Sequence, residues 1–514
     1  MPKETKTKAK LNREYISEFG SEVFQTDGSV LRCIPCDSPV QTNQRSQVTQ
    51  HLATKMHAKN IEIKQKRVQQ LFITASFENQ GKLSQRSLEM CAAFNAADIP
   101  LSKLANPVFR AWLERETNHS VPHESTLRKQ YLNIVYENTM SVIRETVKNR
   151  KIWMSIDETI DATGRKVANV IVGILLPDRP GEKFLLTSEE LLKCDAESIA
   201  RLFHDSLKLL GNDFNSDSVL LLVTDGVAYM VKAGKALKLI FRKMIHVTCT
   251  AHGQHRVAET VRSCYPNIDG LIANGKKIFR KCPARVQIFE DAADSCGREI
   301  ALPPKPCTTR WGTWLEAVRY YTINLPFFAE VVNHLDETDA ASIKACQKVL
   351  EEYDDLEADL IYLDSNFVGL KFSIKTLEKD GLPLIDALKC IDESKDNLPF
   401  GIPGSAARKI FSKMSYVLEK NEGLKTLRAV STVLTADNTE DRVAARALIK
   451  EPLSSEELTY FKFAPTTSCS VERSFSVYKT LLNPNRQSFE FHNMRKVFVA
   501  RCNAQVIFAL RQAA

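Results

Sequence analysis

Three carboxylates crowd the end of one apolar run: Asp157, Glu158 and Asp161 in "KIWMSIDETID", residues 151–161. A second apolar run, "SVLLLVTDG", closes on Asp225, and a late stretch, "SVERSF", carries Glu472. Carboxylate oxygens are the ligands Mg²⁺ prefers, and acids brought together repel unless a cation lies between them. Folded to one edge, Asp157, Asp225 and Glu472 would hold Mg²⁺ (or Mn²⁺). Such a site activates a water or a 3′-hydroxyl and steadies the leaving oxygen of a phosphodiester. Glu158 and Asp161 would then be outer or spare acids. Taken singly, each acid has a plainer role in a strand-end turn or a helix's first turn. Only their joint placement points to a metal centre.

A different donor set sits near the start, in "LRCIPCDSPVQTNQRSQVTQHLATKMHAKN". Cys33 and Cys36 have two residues between them, and His51 and His57 have five. Two thiolates and two imidazoles make a closed tetrahedral Zn²⁺ set, able to fold a segment too short to hold a core. The cysteines are expected on a knuckle after a short strand, Ser29–Arg32. The histidines are expected on one helix over about 45–61. The helix start of such a finger faces the major groove. Arg45, Gln47 and Gln50 would read base edges, and Lys55 and Lys59 would take phosphates. Spacing and flanks resemble a BED-type zinc finger, a DNA-binding module.

These groups need elements to position them. Helical periodicity dominates 84–149, with Pro100 as a break and His123 or Ser125 as a cap. "KIWMSID", "KVANVIVGILL" and "KFLLTSEEL" then read as three strands in meander order. A helix capped by Asp195, a strand ending at Asp225, another helix, a strand "MIHVTCTAH" and a helix from Gly253 follow. That is the element order of an RNase H-like fold. From about 263 to 452 no strand pattern recurs, so a long helical insertion is expected. The predicted class is α/β: an RNase H-like mixed sheet interrupted by an all-α insertion and preceded by a small finger and a helical module. The expected boundaries are 1–70 for the finger and 71–146 for a helical dimerisation or DNA-binding module with its linker. The catalytic domain would occupy 147–262 and 456–514, with the insertion at 263–455 between its two parts.

The combination resembles a DNA transposase of the hAT superfamily. The matching stretches are "SIDETIDATGRKVANVIVGIL", "LLVTDGVAYMVKAGKAL", "VTCTAH", "TTRWGTWLEAV" and "SCSVERSFSVYKTLL", with "IPLSKLANPVFRAWLERETNHSVPHESTLRKQY" ahead of them. The resemblance implies that Asp157, Asp225 and Glu472 are the catalytic acids. It places Cys249 and His252 near the scissile phosphate, where a structural thiol and a hydrogen-bonded imidazole are the other reading. It implies that Arg310 and Trp311 lie near the site, the indole stacking on a flipped base during hairpin formation or else packing in a core. Arg486 would contact a phosphate. Where many relatives follow the second acid with Asn-Ala-Ala-Asn, this chain has Gly226, Val227, Ala228 and Tyr229.

The implied activity is cut-and-paste transposition: binding of terminal inverted repeats, metal-dependent cleavage, and joining of 3′ ends to target DNA. The alternatives are a DNA-binding regulator that keeps the fold without catalysis, and a scaffold built on the helical region. The expected partners are double-stranded DNA, at transposon ends and target, and further copies of the chain as a dimer or larger oligomer. The charge agrees with an anionic partner, since residues 1–70 carry twelve Lys or Arg against seven Asp or Glu. Thirteen scattered cysteines fit a reducing compartment. The N-terminus lacks the apolar core of a signal peptide, and no apolar run reaches the roughly 18 residues of a membrane span. No membrane association is expected, and the chemistry places the protein in the nucleus.

Overall fold

The computed structural model describes residues 8–27, 29–36, 38–42, 44–61, 84–211, 214–297, 299–306, 312–482 and 490–513. The chain divides into two compact units, Met1–Gln85 and Arg86–Ala514.

The first unit begins with a helix, Lys8–Phe19, followed by a three-stranded antiparallel sheet: β1 (Phe24–Thr26), β2 (Leu31–Cys33) and β3 (Ser38–Val40). Tyr15, Phe24, Leu31, Val40 and Val48 form its small core. The strand expected at Ser29–Arg32 starts two residues later. The Asp27 carboxylate accepts from the Ser29 and Val30 backbone N–H groups, at 2.8 and 2.9 Å, and holds both residues in a turn. The single helix expected for both histidines is two segments. The helix Arg45–Leu52 stops at a turn, and the chain re-enters helix at residue 55. Thr54 Oγ1 accepts from His57 N at 3.1 Å and so starts the second segment as its cap.

The second unit is built on a five-stranded mixed sheet: β4 (Ile152–Ile160), β5 (Lys166–Ile174), β6 (Lys183–Leu191), β7 (Val219–Thr224) and β8 (Ile245–Thr248), in the order β6-β5-β4-β7-β8. β6, β5 and β4 pair antiparallel, as the meander requires, while β7 and β8 run parallel to β4. Parallel neighbours need crossovers, which the helices Ala196–Lys208 and Ala228–Leu237 supply. Asp195 caps the first, accepting from Ser198 N at 2.9 Å. The sheet is buried on both faces, so its strands read as apolar runs rather than alternating ones.

Ahead of the sheet, helices Gln85–Ala96, Pro107–Thr117 and Leu132–Val147 pack with the C-terminal helix Phe491–Ala513. Between β8 and the helix Cys469–Leu481 every regular element among the described residues is helical. A second large core lies there. It includes Trp314, whose indole N–H donates to Asp269 at 3.1 Å. Among the described residues no helix is long and apolar enough to cross a membrane.

Candidate metal centres

The sheet sets the acids. β4 and β7 pair in parallel as far as Ser155 and Val223. Two residues beyond that last pair stand Asp157, still in β4, and Asp225, one residue past the end of β7. Asp157 is not the strand end that the sequence suggested. β4 continues to Ile160 because its antiparallel pairing with β5 outlasts the parallel pairing with β7. Asp157 thus projects where one neighbour has ended and the other still braces the backbone.

The third acid arrives on the helix Cys469–Leu481, in its first turn. Asn169, opposite Asp157 on β5, donates through Nδ2 to Ser474 Oγ at 2.8 Å and ties that helix to the sheet. The segment before the helix is pinned as well. Thr250 N donates to Thr466 O at 3.0 Å, and Ser468 N donates to Cys249 Sγ at 3.2 Å. Cys249 is buried just ahead of the helix Thr250–Cys264, and His252 follows one turn on. His252 Nε2 lies 3.5 Å from Glu472 Oε1. Ligand atoms of Asp157, His252 and Glu472 all lie within 4.8 Å of one another.

The electrostatics follow from this crowding. Burial raises Asp157 well above the usual carboxylate range; His252 opposes the shift, and the charges of Asp225, Glu158 and Glu472 add to it. Burial also raises Asp225 and Glu472, against the pull of His252 on both. Burial disfavours the His252 cation, yet Cys249, Glu472 and Asp157 together lift the imidazole to about 10. In this state His252 supplies positive charge to a set of acids that repel one another. A divalent cation would relieve the same repulsion, so the donor set fits one, with Asp157, His252 and Glu472 able to hold it and Asp225 adding charge nearby.

The two remaining acids of the opening stretch part company. Glu158 accepts from the Tyr229 hydroxyl, and burial, with Asp225 adding, pushes it up to about 7. Asp161 is no spare ligand. It accepts from Arg165 Nε at 2.7 Å, Thr163 Oγ1 at 2.7 Å and the Tyr478 hydroxyl at 3.1 Å. Those bonds anchor the β4–β5 turn.

In the first unit, ligand atoms of Cys33, Cys36, His51 and His57 also lie within 4.8 Å of one another. His57 Nδ1 is 3.3 Å from both sulfurs. His51 Nε2 is buried without a hydrogen-bond partner among the described residues, the state of an imidazole nitrogen that lacks its ligand-bound atom. Burial holds both histidines below their usual range, in the neutral form a metal requires. The set fits Zn²⁺.

Gln50, Lys55 and Lys59 are exposed, as DNA contacts must be. Arg45 is exposed but ion-paired with Glu18, its guanidinium 5.6 Å from the Phe19 ring centroid. Gln47 is not a free reader. Its Oε1 accepts from Gln44 N at 3.1 Å in a capping box, and its Nε2 donates to Gln41. Arg310, Trp311 and Arg486 lie outside the described residues. Sequence reasoning passed over Asn169, although a lone amide in the apolar run "VANVIVGILL" is a legible signal of a buried polar contact.

Residues 122–278 match a family described as a domain of unknown function, DUF659. CGG triplet repeat-binding protein 1 of Mus musculus and of Homo sapiens are each 32% identical over 135 residues, 24% of this chain and 78% of the relative. The chain belongs to the CGG triplet repeat-binding protein 1 family. The stretch shared with that family is shorter than the sequence distance from Asp157 to Glu472, so the likeness cannot span the acid cluster. The DUF659 match takes in Asp157, Asp225, Cys249 and His252 and stops before Glu472.

Proposed function

We propose that the chain is a DNA-binding protein of hAT transposase descent that cleaves DNA with a divalent metal and joins 3′ ends to target DNA. One observation carries the reading: ligand atoms of Asp157, His252 and Glu472, from three remote segments, lie within 4.8 Å of one another, and desolvation raises Asp157, Glu472 and the nearby Asp225. Buried like charges are costly unless they serve a cation. The sheet order and the DUF659 match, a domain found in hAT-derived proteins, support the RNase H-like and transposase parts of the reading.

Bound Mg²⁺ or Mn²⁺ would polarise the phosphodiester and lower the pKa of the attacking water or 3′-hydroxyl. Asp157 and Glu472 reach the point from the sheet and from a helix, two elements that the Asn169–Ser474 bond ties together. Asp225 completes the negative set. His252 Nε2 lies 3.5 Å from Glu472 Oε1, so without the metal a protonated His252 would offset the charge of that carboxylate, and with it the imidazole would give up its proton to serve as a ligand. Zn²⁺ on Cys33, Cys36, His51 and His57 would fix the finger that presents Gln50, Lys55 and Lys59 to terminal repeats. Joining two ends requires at least two copies, and the substrate places the work in the nucleus.

The test is cleavage of DNA taken from either side of the gene, in Mg²⁺ and in EDTA. Asp225→Asn should abolish nicks and hairpinned ends while leaving specific binding nearly unchanged. Normal cutting by that variant would remove the acid cluster from the chemistry. A second reading, a DNA-binding regulator without catalysis, draws on the relatives, which are named for binding a triplet repeat. Binding without cutting in both proteins would favour it.

A further inference from the structure

A cleavage site on DNA must also grip the strand that enters it, and the rim of the acid cluster offers an unused cation. The helix Thr250–Cys264 carries His252 into the cluster and Arg256 one turn later, on the same side. Arg256 Nη1 lies 3.5 Å from the Gly226 carbonyl, and its charge reaches Asp225. Among the described residues no carboxylate comes within ion-pair distance of it. A guanidinium has five N–H donors, and one long carbonyl contact leaves most of them open. A Cβ at Gly226 would stand 3.3 Å from Nη1, so the glycine keeps that approach clear.

A second helix, Ala406–Glu419, closes on the first at Gly253, where a Cβ would fall 2.6 Å from Val417 Cγ1. That close approach sets Tyr416, next to Val417, on a helix packed against the one that carries His252 and Arg256. Tyr416 is 53% exposed, which leaves ring surface open to a stacking partner. Lys413 and Lys420 place their ammonium groups 5.9 and 5.2 Å from its ring centroid, and Lys420 Nζ donates to its hydroxyl at 2.9 Å. Lys420 above all, with Lys413 and Arg256 adding, draws the phenol below its ordinary range, so the four side chains share one field.

An exposed aromatic face beside cations with no carboxylate partner among the described residues, on helices that lead to the acid cluster, matches a nucleic-acid strand better than an acidic peptide. A strand presents both a phosphate row for the cations and flat bases for the ring to stack on, whereas an acidic peptide offers charge alone. We propose that Arg256, Lys413, Tyr416 and Lys420 form a DNA track leading to the acid cluster, Arg256 taking a backbone phosphate and Tyr416 stacking on a base. This rests on the DNA-cleaving reading and names how the substrate strand is held.

The test uses the full chain carrying Cys33→Ser, so that the finger does not dominate binding, and a fluorescent single-stranded DNA of about 25 nucleotides read by anisotropy across a salt series. Tyr416→Ala should weaken binding about fivefold or more, while Tyr416→Phe, which keeps the ring, should stay within about twofold. Arg256→Ala should flatten the dependence of log affinity on log salt by about 0.7, the loss of one single-strand phosphate contact. Lys389→Ala, at an exposed lysine on the helix Leu384–Asp396, should leave the tyrosine-dependent part of binding in place. If the parent binds and both variants match it in affinity and slope, the track is wrong and the acid-cluster reading stands. If the parent binds no DNA and the chain with its finger intact cuts none, both fall.

Discussion

Asp157 shows how one residue can be legible in type and misjudged in setting. Its acid at the end of an apolar run marked it from sequence, as did Asp225 and Glu472. Its pairing with Asn169, and the three extra residues of β4, depend on β5 outlasting β7, which no local pattern states. The transposase resemblance puts His252 near the scissile phosphate without making it a ligand; in the fold its ring lies among the ligand atoms of Asp157 and Glu472, two acids far off in sequence. Asp161 was misjudged for a local reason. It lies in a turn with Thr163 and Arg165, and carboxylates commonly bind their own turn. The crowded acids predict a metal-linked stability. Mg²⁺ or Mn²⁺ should raise the melting temperature of the wild-type chain relative to EDTA, because ligand bound to the native state alone stabilises it. Asp157→Asn should melt higher than wild type in EDTA, having shed one of the repelling charges, and should lose most of the metal-dependent rise. Differential scanning fluorimetry with and without metal reads both. A metal shift of full size in Asp157→Asn would exclude this residue as a ligand.

At the scale of elements, the strands of the main sheet were readable because each is a compact apolar run bounded by turn residues. The finger's three-residue strands were too short to show alternation, and the helix Lys8–Phe19 hid in a polar, basic stretch. A contact that the sequence did not show binds two of the main strands to the chain's late part. Glu457 accepts from Lys151 Nζ at 2.6 Å, just before β4, and from Lys243 Nζ at 2.9 Å, just before β8. It also closes a capping box with Ser454. Burial would raise this carboxyl, but the bonds from Lys151, Ser454 N–H and Lys243 outweigh it and hold the group at about 2. Its native value lies below its unfolded value near 4.5. The contribution is therefore full above that value and disappears as pH falls from there through about 2. Urea unfolding across pH should show wild type losing stability over this window more steeply than Glu457→Gln. At neutral pH the variant should be less stable by about 1–3 kcal/mol, the scale of hydrogen bonds to a charged group. Parallel curves for the two proteins would mean that Glu457 is not the group titrating there.

The whole molecule joins two units of unequal self-sufficiency. The body Arg86–Ala514 contains two large apolar cores, one around the sheet and one among the insertion helices, and needs no ligand to account for its burial. The first unit packs six buried residues around three short strands. A core of that size rarely sustains a fold unaided, and in zinc fingers the metal's binding energy is folding energy. Sequence composition already marked this unit by its basic excess, and the Cys and His spacing marked a donor set that could hold a metal. The independence of its core could be seen only once the strands were placed. Heating the full chain with Zn²⁺ bound and no Mg²⁺ or Mn²⁺ present should accordingly give two transitions, with the finger's sensitive to removal of Zn²⁺ and the body's not. A strong zinc chelator, or Cys33→Ser, should remove the finger's transition, abolish specific DNA binding and bring the zinc content of the purified protein to near zero. Circular dichroism of the body should meanwhile melt at its former temperature. If removing Zn²⁺ instead lowers one common transition, the two units fold as a single cooperative block. Specific binding that survived in Cys33→Ser would take DNA reading away from the finger and assign it to the body.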